Sequence, residues 1–227
     1  PDALTWACLI FAAVCSTIVI AALTSLLEVW KLPALTAPFV FTSFTFFLAI
    51  ARFGRLASTH LLPTAGLPTA VSVEGIVTWT TVVEGLFKGI AQVFFQGNLV
   101  TGIVFAAGLF VAARMAFATA LIGSLIGLLV AWGMGAAEPA IRAGAFGFNG
   151  VLVAIALGSV FFQLNKTSMA YALLATIATP FVYAAVSAAL EPLGVPALTL
   201  PFVLVTWTFL FASKLFPTLH VAKAEDT

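Results

Sequence analysis

Apolar residues run through this chain in long stretches, and the few ionic side chains fall mostly between them. A helix needs about 20 apolar residues to cross the hydrocarbon of a bilayer. On that ruler seven stretches predict spanning helices: 4–28, 34–51, 99–113, 115–133, 144–163, 168–190 and 196–213. Lys31, Arg52, Arg55, Arg114, Glu138, Arg142, Lys166, Glu191 and Lys214 sit at or near the breaks. That placement supports the boundaries, because a charge at the bilayer centre is costly. Two segments depart from the pattern. Residues 53–73 are rich in Pro, Thr, Ser and Gly, include Arg55 and His60, and read as an extramembrane linker. Residues 74–98 carry Glu84 and Lys88 four apart, a spacing that allows a helical ion pair. A short apolar run, Gly89 to Phe95 with Gln92 in its middle, then breaks at Gln96-Gly97-Asn98. It is too short and too polar to span, so it lies at the interface or enters and turns back. Re-entrant backbone is tolerated only where protein or a watery cavity surrounds it.

Composition agrees with a bilayer as the solvent. The 227 residues are 63% hydrophobic and 7% charged, with a mean hydropathy of +1.19. Soluble domains carry about 25% charged residues, and a compact fold of this length still needs a wetted exterior. Basic and acidic residues nearly balance, which gives no footprint for nucleic acid. Cys8 and Cys15 lie on one face of one apolar run without further metal ligands nearby, and read as packing residues. His60 and His220 fall in predicted loops and are assigned no chemistry. The chain opens on Pro1-Asp2, with neither Met nor a basic leader, and reads as a cut or fragment boundary.

One element occurs twice. Leu27-Glu28 followed by Leu32-Pro33-Ala34-Leu35-Thr36-Ala37-Pro38-Phe39-Val40 returns as Leu190-Glu191 and Val195-Pro196-Ala197-Leu198-Thr199-Leu200-Pro201-Phe202-Val203. A generic helix start explains the prolines, with Pro33 and Pro196 near the first turn. It does not explain Thr36, Thr199, Phe39 and Phe202 in register. If 74–98 does not span, five steps separate the runs that precede the two copies. An odd number puts the copies on opposite membrane faces, as in the inverted repeats that build transporters and channels. Pro38 and Pro201 each lack an N–H and are expected to free the carbonyls of Ala34 and Ala197. Thr36 and Thr199 can bond backbone beside such a loosened turn or face a pore. Gly123-x-x-x-Gly127 fits close helix packing.

With these residues in view, the chain resembles the urea transporter family, of the bacterial type. The doubled Pro-Ala-Leu-Thr-x-Pro-Phe is close to the family signature. Gly89-Ile90-Ala91-Gln92-Val93-Phe94-Phe95 with Asn98 and Gly102 is similar to the family's tilted pore helix and its exit. Gly147-Phe148-Asn149-Gly150-Val151-Leu152-Val153 is similar to a segment on the third helix of each half. The resemblance implies an all-α polytopic membrane protein with two inverted repeats, each a re-entrant half-helix plus five spans, assembled as a homotrimer. Residues 1–52 would be the last two spans of a first, incomplete repeat, and 53–73 the linker. Residues 74–216 would be a complete second repeat with its half-helix at 79–97, and 217–227 a C-terminal tail.

The same resemblance implies the site. Urea is small, planar and neutral, with four N–H donors and one carbonyl. A selective path for it needs a flat slot and acceptors that replace water. Gln92 offers both acceptor and donors. Phe95, three residues on and expected on the same helical face, would wall the slot. Phe148 and Leu152 would form a constriction, and Thr36 and Thr199 would meet near the pore centre. No cofactor, metal or nucleic acid is expected. The partners that the resemblance implies are urea as permeant, the lipid bilayer and two further copies, in a bacterial inner membrane. Two other readings in the transport class remain: a channel for a related small amide or ammonia, and a non-conducting fragment. A membrane-embedded enzyme would need a nucleophile–base pair or metal cluster within the spans, and no histidine or carboxylate is placed for one.

Overall fold

The computed structural model describes residues 3–50, 75–220 and 222. The expected linker at 53–73, with Arg55 and His60, lies outside them, as do Arg52 and most of the tail beyond 220. Among the described residues the chain is all-α. The helices are α1 (Ala3–Glu28), α2 (Ala37–Ile50), α3 (Trp79–Gln92), α4 (Leu99–Ala112), α5 (Arg114–Gly133), α6 (Glu138–Arg142), α7 (Phe148–Ile155), α8 (Lys166–Leu190) and α9 (Leu200–Ser213). A π turn, Ala156–Val160, extends α7, and a 3-10 turn, Glu191–Leu193, follows α8. On length and composition α1, α5 and the run Lys166–Leu193 can cross a membrane. The apolar helices α2, α4, α7 with its π turn, and α9 are shorter.

The expected spans at 34–51 and 196–213 become helical only at Ala37 and Leu200. Pro38 and Pro201, rather than Pro33 and Pro196, stand in the first turn, where a missing N–H costs nothing. Upstream of them the chain cannot be helical, because Leu35 and Leu198 have positive φ, 51° and 49°.

The chain forms two compact units. The first holds Pro1–Thr69 and Ala185–Val203. Here α1 packs along α2, with Phe11 edge-on to Phe46 at 6.0 Å. Cys8 and Cys15 are free and half-buried, and line an apolar groove of about 400 Å³ beside these rings. The doubled element lies in this unit, and its two copies share one backbone course. Lys31 and Gly194 both turn left-handed, at φ 54° and 63°, four residues before Leu35 and Leu198 do. The N–H of Lys31 bonds the Glu28 carbonyl at 2.9 Å, and that of Gly194 the Glu191 carbonyl at 3.0 Å. Leu32 to Leu27 and Val195 to Leu190 follow suit, at 3.1 and 3.4 Å. Left-handed leucines cost about 1–2 kcal/mol each. The same strain at the same register in both copies marks a constrained unit, not a coincidence of composition.

The second unit holds Ala70–Ala184 and Leu204–Thr227. Thr78 caps α3 in a capping box with Thr81. α3 lies against α4, α5, α6 and α7, and α5 crosses α7 most closely. Gly123 and Gly127 make that crossing possible, as their spacing predicts. A Cβ on Gly123 would run into the carbonyl of Gly150, and one on Gly127 into that of Phe146. The expected Glu84–Lys88 pair is formed at 2.6 Å and belongs to a larger cluster. Arg142 Nε donates to Glu138 Oε1 at 2.8 Å, and the Thr81 hydroxyl donates to the same oxygen. The Thr81 hydrogen bond, then Arg142, hold the Glu138 carboxyl below its usual range. This cluster ties α6 to α3. The described residues of the tail are held to the segment after the π turn: Gln163 N–H donates to the His220 carbonyl at 2.9 Å and Ala222 N–H to the Phe161 carbonyl at 3.0 Å.

A side chain at the α5–α7 crossing must push backbone apart. Gly127→Val is therefore expected to cost at least about 2 kcal/mol, read as a lower thermal midpoint in detergent. Gly133→Ala, which has open space around it, should leave the midpoint within about 1–2 °C. Equal midpoints for the two variants would refute the close-packing account.

Candidate functional site

Each copy of the doubled element places a threonine immediately before a helix, Thr36 before α2 and Thr199 before α9. Their carbonyls accept the first full helical bonds, from Val40 N–H at 3.0 Å and Val203 N–H at 3.1 Å. Both threonines thus stand at the capping position. Their hydroxyls meet each other: Thr36 Oγ1 lies 2.8 Å from Thr199 Oγ1, across 163 residues of sequence. The expectation that Pro38 and Pro201 free the carbonyls of Ala34 and Ala197 does not hold. Those carbonyls accept the N–H groups of Ala37 and Leu200, at 3.1 and 3.2 Å. The turn ahead of each proline tightens to an i→i+3 bond and consumes the acceptor that a continuous helix would have lost. What the pair presents is hydroxyl chemistry. One O–H is spent between the two threonines, leaving one further O–H donor and free lone pairs. The positive ends of two helix dipoles converge on it.

The other four expected residues lie in the second unit. Gln92 is the last residue of α3 and half-buried, and its Nε2 donates to the backbone carbonyl of Ala143 at 3.2 Å. The helix expected over 79–97 ends there. Gln96 N–H reaches back to the Ala91 carbonyl at 3.2 Å, and Phe95 N–H to that of Gln92 at 2.9 Å. This is the Schellman exit, whose left-handed residue is normally Gly or Asn. Here it is Phe95, at φ 56°. Phe95 therefore does not share the helical face of Gln92. Its direction is set by the turn, and its ring stays half exposed, at 51%. An aromatic residue held left-handed, with Gly97 only two positions on, is strain of the kind that collects at functional sites.

Beyond the turn, Asn98 caps α4 by accepting the N–H groups of Val100 and Thr101 at 2.8 and 3.4 Å. Gly102 lets α4 lie on the backbone of α3 at Phe87. Phe148 opens α7 and is buried, and Leu152 follows one turn later, half-buried. The Tyr183 ring stands edge-on to Phe146 at 5.1 Å and to Phe148 at 5.9 Å. Sequence reading passes over Tyr183, because nothing local marks which aromatic on α8 reaches α7. It also passes over Thr206, a buried hydroxyl without a hydrogen-bond partner among the described residues.

Residues 1–214 match the family model described as urea transporter. The chain belongs to the urea transporter family. Among curated proteins it is 29% identical to Urea transporter 1 of Ovis aries over 205 residues, 88% of this chain and 52% of that protein. Urea transporter 1 of Capra hircus is 28% identical and that of Rattus norvegicus 26%, with the same coverage. The chain thus spans about half the length of the curated relatives it matches. It is an all-α integral membrane protein. The expected site residues fall into two groups, Thr36 with Thr199 in the first unit, and Gln92, Phe95, Phe148 and Leu152 in the second.

Two outcomes are expected of these contacts. Thr36→Val and Thr199→Val should each lower stability by about 1 kcal/mol, because each strands the other hydroxyl. The double variant should cost little more than either single, giving a coupling of about 0.5–1.5 kcal/mol in detergent unfolding. Strict additivity would mean that the hydroxyls do not interact. Phe95→Gly should leave the thermal midpoint unchanged or raised, since relief of about 1–2 kcal/mol of left-handed strain offsets the loss of a half-exposed ring. A large drop in midpoint would place Phe95 in a purely structural role.

Proposed function

We propose that this protein conducts urea passively across a membrane, with Thr36, Thr199, Gln92, Phe95, Phe148 and Leu152 lining the path. The observation that carries the reading is the hydrogen bond between Thr36 and Thr199, one from each copy of the doubled element. Paired hydroxyls on two helix N-termini offer a donor to the urea carbonyl and lone pairs to its N–H groups. The converging dipoles disfavour a cation and tolerate a neutral solute. Gln92 adds an amide acceptor at the end of the short helix α3, and Phe95, held left-handed three residues on, adds an aromatic face. Weak contacts of this kind suit a conduit, which must release what it binds.

Family membership and the relatives named Urea transporter 1 support urea as the permeant. The proposal includes two inverted repeats, with residues 1–52 and 74–216 contributing to them. It also includes a homotrimer in a bacterial-type inner membrane; the repeated backbone course supports the duplication. Urea flux into proteoliposomes tests the reading. Flux above protein-free liposomes is expected, falling at least about tenfold in Gln92→Ala and in Thr199→Val, the equivalent of about one hydrogen bond in the barrier. Parent-level flux in both variants, or a parent no faster than bare lipid, would overturn it.

A further inference from the structure

We propose that the backbone carbonyl of Ala143 is the positioning group for Gln92, fixing the amide so that its Oε1 is turned away from the loop as the acceptor for the permeant. The inference rests on Gln92 lining the path. A terminal amide rotates easily about its last torsion, so an unheld glutamine would present donor and acceptor ends by turns. A carbonyl oxygen only accepts, so it can bond only the NH2 end, as the 3.2 Å contact from Nε2 shows.

The carbonyl itself is held from both sides. Ala143 follows α6, and its carbonyl is one of the helix-end acceptors without an intrahelical partner. Behind it the chain turns left-handed at Gly144, φ 78°, with Gly144 N–H on the Ile141 carbonyl at 3.0 Å and Ala145 N–H on that of Ala140 at 3.2 Å. In front, Gly144 sits directly on the α3 backbone at Gly89, which a Cβ on Gly144 would strike, while a Cβ on Gly89 would strike the Ser124 hydroxyl. Ser124 of α5 donates to the Leu86 carbonyl at 2.7 Å and fixes the same stretch of α3. The ion-pair cluster of Glu84, Lys88, Glu138 and Arg142 binds α6 to α3 one turn away. The loop is thus clamped to the helix whose last side chain it orients.

This arrangement demands a donor at position 92. A carboxylate there would face the Ala143 carbonyl oxygen with like partial charge, whereas a protonated carboxyl could donate to it and still present a carbonyl. The charged groups on the elements packed around it are Glu84 and Lys88 on α3, Glu138 and Arg142 on α6, and Arg114 at the far start of α5; α4 and α7 carry none. Lys88 and Arg142 are engaged with Glu84 and Glu138.

The test is urea flux in proteoliposomes from about pH 8 to about pH 5, a range that spans a carboxyl raised from its ordinary value. The parent should be flat. Gln92→Glu should be slow at the alkaline end and recover by about tenfold toward the acid end. A flat profile for Gln92→Glu, at any flux, overturns the positioning role. Gln92→Ala separates the two ideas: parent-level flux would defeat the path-lining reading itself, while slow Gln92→Ala beside flat Gln92→Glu defeats only the positioning. A second measurement uses the parent. With ¹⁵N-glutamine labelling, the side-chain amide of Gln92, assigned by its loss in Gln92→Glu, should exchange its protons more slowly than that of exposed Gln96. Equal exchange rates overturn the proposal.

Discussion

In surroundings without water, every break in a helix must find hydrogen-bond partners within the protein. That constraint organises this chain. The doubled element closes α1 and the turn after α8 with back-bonds from left-handed residues, then satisfies Ala34 and Ala197 with tight turns before α2 and α9 begin. The exit of α3 uses the same device at Phe95, and the end of α6 uses it at Gly144. At each of these breaks one polar group is left over after the backbone is satisfied, and these leftovers are the candidate site: the two threonine hydroxyls and the Gln92 amide with the Ala143 carbonyl.

Close approach of backbones makes the arrangement rigid. Hydrophobic association between helices is weak in lipid, so contact depends on small residues that let main chains touch. Gly123 and Gly127 bring α5 onto the α7 region, and Gly89 and Gly144 bring the loop after α6 onto α3. The polar side chains then need little freedom of their own. Gln92 projects from the end of a helix seated on α4, α5, α6 and α7, and the loop that receives its NH2 group is packed on that helix. Specificity for a small neutral solute follows from such fixed dipoles better than from mobile charges.

Among the described residues four non-glycines are left-handed: Leu35, Leu198 and Phe95 each adjoin a residue of the candidate site or belong to it, and Lys31 does neither. Leu35 and Leu198 immediately precede the paired threonines. Phe95 follows Gln92 by one turn of chain and carries its ring out of the helix. A sequence chosen for stability alone would place glycine at these positions, as it does at Gly194 and Gly144.

The all-α membrane class, the Glu84–Lys88 pair, the glycine crossing and the doubled threonines were all legible in the sequence. Each depends on composition, spacing or repetition, which are local or self-referential properties of the chain. Helix starts at Ala37 and Leu200, the left-handed turn that takes Phe95 off the face of Gln92, and the capture of the Ala34 and Ala197 carbonyls were not. They follow from which N–H group lies nearest to which carbonyl once the chain has turned. The partners of Gln92 and Thr36 lie 51 and 163 residues away, and Tyr183 reaches Phe148 from another helix. Residue types alone name groups able to bond; only the packed backbone brings donor and acceptor within 3 Å or so of each other, the range in which a hydrogen bond exists.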